Sequence, residues 1–245
     1  MQDFERISME NVKKISGRIH SNHIHDSATK HVTGLAKYCD DITEPVGTLH
    51  AYLGISEVAH ANIKNIDLST VESIPGVIGT ITSSDIPGKN DISPTGQNDE
   101  PVFPVDRVQF HGQPLFAVIA KTRNIARHAA KQAIIEYEIL PHALNISSAQ
   151  DSDYPHVTAP LKLERGKINN SKSSELNQIK NQITIGGQDH MYLEGHIAFA
   201  IPGEDDELII HCSTQHPSEA QHMVAHVMGI PNNAVTVNVR RMGGG

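Results

Sequence analysis

Apolar and polar positions alternate along this chain in two patterned stretches, set apart by polar ones. Residues 1–30 are rich in Ser, Asn, Lys and His without a sustained period, which predicts an extended N-terminal arm. Beyond it, Leu49, Tyr52, Leu53 and Ile55 read as one strand, Ile63 to Ile66 as a second and Val77 to Thr82 as a third. Pro87-Gly88 opens a long loop punctuated by Pro94, Gly96, Pro101 and Pro104. Pro114 to Ala120 is continuously apolar, the pattern of a central strand covered on both faces. Ile125, Ala126, Ala129, Ala130, Ala133 and Ile134 recur at helical spacing, and Ile135 to Ile139 then alternates at period two. Strand, helix and strand are expected to form one α/β unit there.

A polar stretch between about His142 and Lys180 reads as a linker with a domain boundary in it. After it, Ile183 to Ile185, Tyr192 to Ile201 and Glu207 to Cys212 predict strands of a meander. Ala220, Met223, Val224, Val227 and Met228 share one helical face, with Pro217 at the first helical position and Gly229 just past the end. Val235, Val237 and Val239 predict a last half-buried strand, running into Arg240-Arg241-Met242-Gly243-Gly244-Gly245. Three glycines after a strand are built for positive φ or close approach. The ending is either an added glycine tail or a chain cut within a ligand loop, and the second reading is favoured.

Composition narrows the function classes. The 245 residues carry 20 Lys plus Arg against 28 Asp plus Glu, a formal charge of −8. Without a basic cluster the electrostatic term behind non-specific nucleic-acid affinity is missing, so nucleic acid is not an expected partner. No apolar run approaches the roughly 20 residues of a membrane span, and the charged start lacks the form of a secretory signal; a cytoplasmic protein is expected. Cys39 and Cys212 are the only cysteines. They cannot supply the four thiolates of an ordinary iron–sulfur cluster, which would have to sit on another chain.

Candidate chemistry is sparse. His222 and His226 stand at i, i+4, yet no H-E-x-x-H accompanies them, and a surface or packing role is the better reading. His20, His23 and His25 lie in the arm, where no preorganised site is expected. No G-x-S-x-G elbow or complete G-x-G-x-x-G is present, and Cys212 reads as a small core residue. Gly186-Gly187-Gln188 is more informative. Two glycines let the backbone carry an amide, able to donate and accept, close to a ligand; a glycine turn opening a strand remains the alternative.

Five segments occur in the order of one known family: His25-Asp26-Ser27-Ala28, His31-Val32-Thr33-Gly34, Gly186-Gly187-Gln188-Asp189-His190-Met191-Tyr192-Leu193-Glu194, Ser213-Thr214-Gln215-His216-Pro217-Ser218-Glu219 and Val239-Arg240-Arg241-Met242-Gly243-Gly244-Gly245. Together they resemble the molybdenum-binding large subunit of the xanthine dehydrogenase and aldehyde oxidase family. The resemblance implies an α+β fold: an α/β-hammerhead domain at residues 31–147, a linker at 148–180, and at 181–245 the truncated start of a molybdopterin-binding domain. It implies a hydroxylase that converts hypoxanthine and xanthine to urate with oxygen from water. Electrons would leave through 2Fe-2S clusters and FAD to NAD, with those centres on a small partner subunit in a hetero-oligomer.

Residue by residue, Gln188 matches the glutamine beside the molybdenum, where it hydrogen-bonds an oxo group, and is the expected metal neighbour. Gly244 and Gly245 match the glycine loop that approaches the molybdopterin cofactor. Tyr192, Glu194 and Thr214 to Glu219 match supporting positions, and no catalytic residue is expected on this chain. The family continues past the three glycines with Phe-Gly-Gly-Lys-Glu and a remainder carrying the general base, the substrate-gripping glutamate and arginine, and most pterin contacts. The chain alone is therefore expected to be inactive, with open strand edges. A non-catalytic binding or assembly module and an aldehyde-oxidase type of hydroxylase are the alternatives.

Overall fold

The computed structural model describes residues 24–150, 153–154, 159–166, 179–189, 191–192 and 194–242. Its central strand is the one the apolar run marks. Strand β5 (Pro114–Ala120) lies between β1 (His50–Ile55) and β3 (Val77–Ile81), antiparallel to both. Leu115, Phe116, Ala117, Val118 and Ala120 are all buried along it. Successive side chains point to opposite faces, so a continuous apolar run requires cover on both.

One cover is helix α3 (Arg123–Ala130). Thr122 Oγ1 accepts from the Ile125 amide at 3.2 Å and caps its start. Buried Ala126, Ala129 and Ala130 form a small-residue face that lets the helix pack closely on the sheet. The helix is shorter than its spacing predicts: Lys131 closes it, and Ile134 already opens strand β6 (Ile134–Ile139).

The expected strand–helix–strand unit is not formed within one sheet. β6 pairs instead with β2 (Ala61–Asp67), which also pairs with the short β4 (Arg107–Val108), giving a second antiparallel sheet in the order β4-β2-β6. Val71, from helix α2 (Ser69–Glu72), and Val108 join Leu115, Phe116, Val118, Ala129 and Ala130 in a single core between the two sheets. Ile63, Ile66, Ile135 and Tyr137 pack against it from the second sheet.

Two expected irregular regions carry short helices. The end of the presumed arm forms α1 (Ala28–Thr33), closed by Gly34 at φ 73; residues 1–23 lie outside the described ones. The start of the presumed linker forms α4 (Ile146–Gln150).

The third sheet has the order β7-β8-β9, from Ala198–Pro202, Leu208–Cys212 and Val235–Asn238. It contains only part of the expected meander. β7 and β8 form an antiparallel hairpin, but β8 and β9 run parallel, joined across helix α5 (Pro217–Met228). A parallel pair needs such a crossover. The expected strand at Ile183 to Ile185 is absent. That segment has no regular structure, and Ile183 and Ile185 are exposed, with no neighbouring strand to pair three isolated alternating residues. Of the stretch expected as strand from Tyr192, only Ala198 onward is regular.

The two patterned halves meet tightly at Gly88. The Gly88 and Lys89 amides donate to the Val227 and His226 carbonyls at 2.8 and 3.1 Å, satisfying acceptors at the C-terminus of α5. A Cβ on Gly88 would stand 2.3 Å from the His226 oxygen and 2.5 Å from the Gly229 nitrogen, so only glycine fits between them. Among the described residues no helix is long and apolar enough to cross a membrane.

Candidate functional site

Gln188 sits in the extended segment at residues 181–189 that precedes the third sheet, and every residue of this segment is exposed. Cβ atoms built on Gly186 and Gly187 would meet nothing within 4 Å. The space beside these two glycines is open among the described residues. Asp189 turns the backbone just after, its Oδ1 accepting from the Met191 amide at 2.9 Å, and Met191 adopts φ 50. Tyr192 and His196 stack with ring centroids 5.2 Å apart before the chain enters β7.

Gly244 and Gly245 lie outside the described residues, as do His190 and Leu193 of the glutamine motif. Their approach is described. Lys30, Lys37, Arg240 and Arg241 line one cleft of about 650 Å³ with His25, Asp26 and Ser27. In the sequence, Arg240 and Arg241 come just before Met242 and Gly243.

Between these segments stands a buried polar contact that spacing does not reveal. Glu194 is 8% exposed, and its Oε1 accepts from the Cys39 amide at 2.8 Å. Arg241 Nη1 donates to the Lys37 carbonyl at 2.8 Å, and the Cys39 thiol donates to the His211 carbonyl at 3.3 Å. Burial, followed by the nearby Glu194 and Asp40 carboxylates, pushes the Cys39 thiol up from its ordinary value. It is thus a neutral donor and not a reactive thiolate. The one signal in the sequence was a carboxylate set between Tyr192 and the apolar run from Ile197, where a solvated strand face would not bury it.

A larger cleft lies elsewhere. It measures about 1140 Å³ and runs between the Lys89–Asn98 loop and α5, with His216, His222, His226, Asp91 and Glu219 in its walls. His222 and His226 are exposed along α5. Among the described residues no group of three His, Cys, Asp or Glu side chains is arranged to hold a metal ion. Asp91 serves the loop instead, its carboxylate accepting from the Ser93 hydroxyl and amide. The Ser93 hydroxyl bond is the first cause holding its carboxyl below the usual range, with His226 a lesser one. Cys212 packs half-buried beside Ile210, Ala225 and Val235, as expected for a small core residue.

Two family patterns match the chain. The one described as "Aldehyde oxidase and xanthine dehydrogenase, a/b hammerhead domain" covers residues 33–141, and "Molybdopterin cofactor-binding domain" covers residues 150–245. Xanthine dehydrogenase/oxidase of Felis catus is 40% identical over 224 residues, 90% of this chain and 16% of that protein. Xanthine dehydrogenase of Calliphora vicina is 38% identical over all of this chain and 18% of its own length. The chain thus spans under one fifth of these relatives.

Among solved structures, quinoline 2-oxidoreductase from Pseudomonas putida superposes with a TM-score of 0.76 at 26% identity, covering 92% of this chain and 30% of that one. Aldehyde oxidoreductase from Desulfovibrio gigas gives 0.72 at 27% identity, covering 87% and 26%. With a hammerhead domain followed by the start of a molybdopterin-binding domain, in the family's order and fold, the chain belongs to the aldehyde oxidase and xanthine dehydrogenase family of molybdenum hydroxylases.

Proposed function

We propose that this chain supplies the hammerhead domain and the first cofactor-facing segments of a xanthine dehydrogenase type of molybdenum hydroxylase. In this reading residues 31–147 are the hammerhead, 148–180 the connection, and 181–245 the beginning of the molybdopterin-binding domain. The substrate is a purine, hypoxanthine or xanthine, oxidised with water as the oxygen source. The electrons pass to 2Fe-2S, FAD and finally NAD on a partner subunit of a cytoplasmic hetero-oligomer. The observation that carries the reading is Gln188, presented on an exposed segment beside two glycines with open space around them among the described residues.

The residues present fit the cofactor. A neutral amide both donates and accepts, which suits an oxo group without adding charge. The cleft of Lys30, Lys37 and Arg240 suits a phosphate-bearing pterin. Bound there, the group supplies the two-electron oxidation. Gln188 would orient it by hydrogen bonding, and the chain's cations would hold its charge.

Catalysis needs a positioned base, and none is assigned here, so the 245-residue polypeptide expressed alone is expected to turn over no purine. The decisive experiment is on the protein isolated from its source with whatever it binds. Molybdenum near one atom per chain, with xanthine-dependent NAD reduction, is expected. A Gln188→Ala variant should retain the metal and lose about 100-fold in kcat, the cost of one preorganised hydrogen-bonding group. Protein free of molybdenum yet stably bound to a partner would overturn the enzyme reading in favour of an assembly module. Turnover of aldehydes but not purines would move it to the aldehyde-oxidase type.

A further inference from the structure

Glu194 and Arg241 are far apart in sequence, yet both terminate on the same three residues. Glu194 holds the Cys39 amide and Arg241 the Lys37 carbonyl, each at 2.8 Å, on either side of Tyr38, which is extended at φ −95 and ψ 174. The three-residue piece is itself fixed. Asp41 Oδ2 accepts from the Tyr38 amide at 2.9 Å, and the Cys39 thiol reaches the His211 carbonyl on β8.

The two side chains sit beside the two stretches assigned to the cofactor. Glu194 comes six positions after Gln188, and Arg241 two positions before Gly243. Both also bury polar atoms at unusual cost: Glu194 Oε2 and Arg241 Nε are shielded from solvent with no hydrogen-bond partner among the described residues. Groups merely decorating a surface would turn those atoms to water. Buried polar groups that accept such a penalty are the ones whose position is fixed by the whole arrangement.

We propose that Lys37–Cys39 is a positioning strap: its carbonyl and amide lock Arg241 and Glu194 in a fixed relation, and so hold the segment that follows Gln188 against the end of β9. Glu194 and Arg241 are then positioning residues and touch neither substrate nor cofactor. The inference rests on the function proposed above.

The test uses the protein as isolated with its partner, in Glu194→Leu, Glu194→Gln, Arg241→Met and combined Glu194→Leu, Arg241→Met forms. Hydrogen exchange at Cys39 reads the strap, and molybdenum per folded chain reads its consequence. Glu194→Leu should speed Cys39 exchange roughly ten-fold, as expected for one lost hydrogen bond. It and Arg241→Met should each weaken molybdenum retention roughly 10-fold or more. Glu194→Gln, which keeps an acceptor oxygen, should restore most of both. The combined variant should lose little more than the worse single one, because the strap acts as a unit.

Faster Cys39 exchange with wild-type molybdenum content in Glu194→Leu and Arg241→Met would overturn the inference and leave the proposed function standing. Unchanged Cys39 exchange in Glu194→Leu would overturn it too. Wild-type protein lacking molybdenum would overturn the function and the inference together. Should Glu194→Leu not fold, Glu194→Gln and Arg241→Met carry the decision on metal retention alone.

Discussion

Gly54 shows how closely one position can be specified. It pairs with Phe116 across β1 and β5, where β1 carries an irregularity at Gly54/Ile55. A Cβ built on Gly54 would lie 2.1 Å from Phe116 Cζ, because the ring lies flat over the glycine. Phe116 is fully buried in the core and has no free direction to move. Gly54→Ala should therefore cost about 1–3 kcal/mol by overpacking, measured as a lower urea midpoint with unchanged slope. Adding Phe116→Leu should recover part of that loss; equal losses with and without it would mean that strand propensity and not the ring is responsible.

Among the elements, short turns depend on carboxylates in a pH-sensitive way. Asp85 Oδ2 accepts from the Thr82 amide and hydroxyl, both at 2.8 Å, holding the turn after β3. The amide bond first, then the hydroxyl bond, lowers its carboxyl below the ordinary value; Asp67 is lowered likewise by the Ser69 hydroxyl and amide. A folded-state value below the unfolded one means the unfolded chain binds more protons. The contribution is thus present above the ordinary Asp range near 4 and fades as pH falls through the lowered folded values. Stability should decline across that acid window, and Asp85→Asn should flatten the slope of unfolding midpoint against pH. An unaltered slope would remove Asp85 from the cause.

Much at this scale could be read from the sequence. The continuous run of β5 requires two covers, and Pro217 and Gly229 bracket α5 to the residue. Pairing was harder. The intervening α5 was itself the cue that β8 and β9 run parallel, since a helix between strands makes a crossover and not a meander. The same cue misled at α3, because periodicity says which face of β6 is apolar but not which of two nearby sheets receives it. Gln188 was legible as an amide after paired glycines. Its fixation was not: the Cys39–Glu194 contact spans 155 positions and the Lys37–Arg241 contact 204, distances over which local spacing carries no information.

For the whole molecule, the joint at Gly88 decides whether the halves act together. The loop amides serve as the missing partners of the α5 carbonyls, and the glycine lies against backbone that cannot rotate aside. Gly88→Ala should leave the hammerhead core folded while exposing the residue-88 and Lys89 amides, the donors of the joint, to faster hydrogen exchange and splitting a single thermal transition into two. One unchanged cooperative transition would show that the halves couple by another route.

The long span of the Lys37–Cys39 contacts also fixes an order of events in the cell. At roughly 5–20 residues per second, Glu194 leaves the ribosome about 8 to 30 s after Cys39, and Arg241 later still. The hammerhead core, closed by Ile139, is complete well before either arrives. Lys37–Cys39 must therefore wait beside a finished domain with its amide and carbonyl hydrated, and its capture is among the last steps of folding. The Cys39 thiol changes its surroundings only once His211, whose carbonyl it meets, has been made.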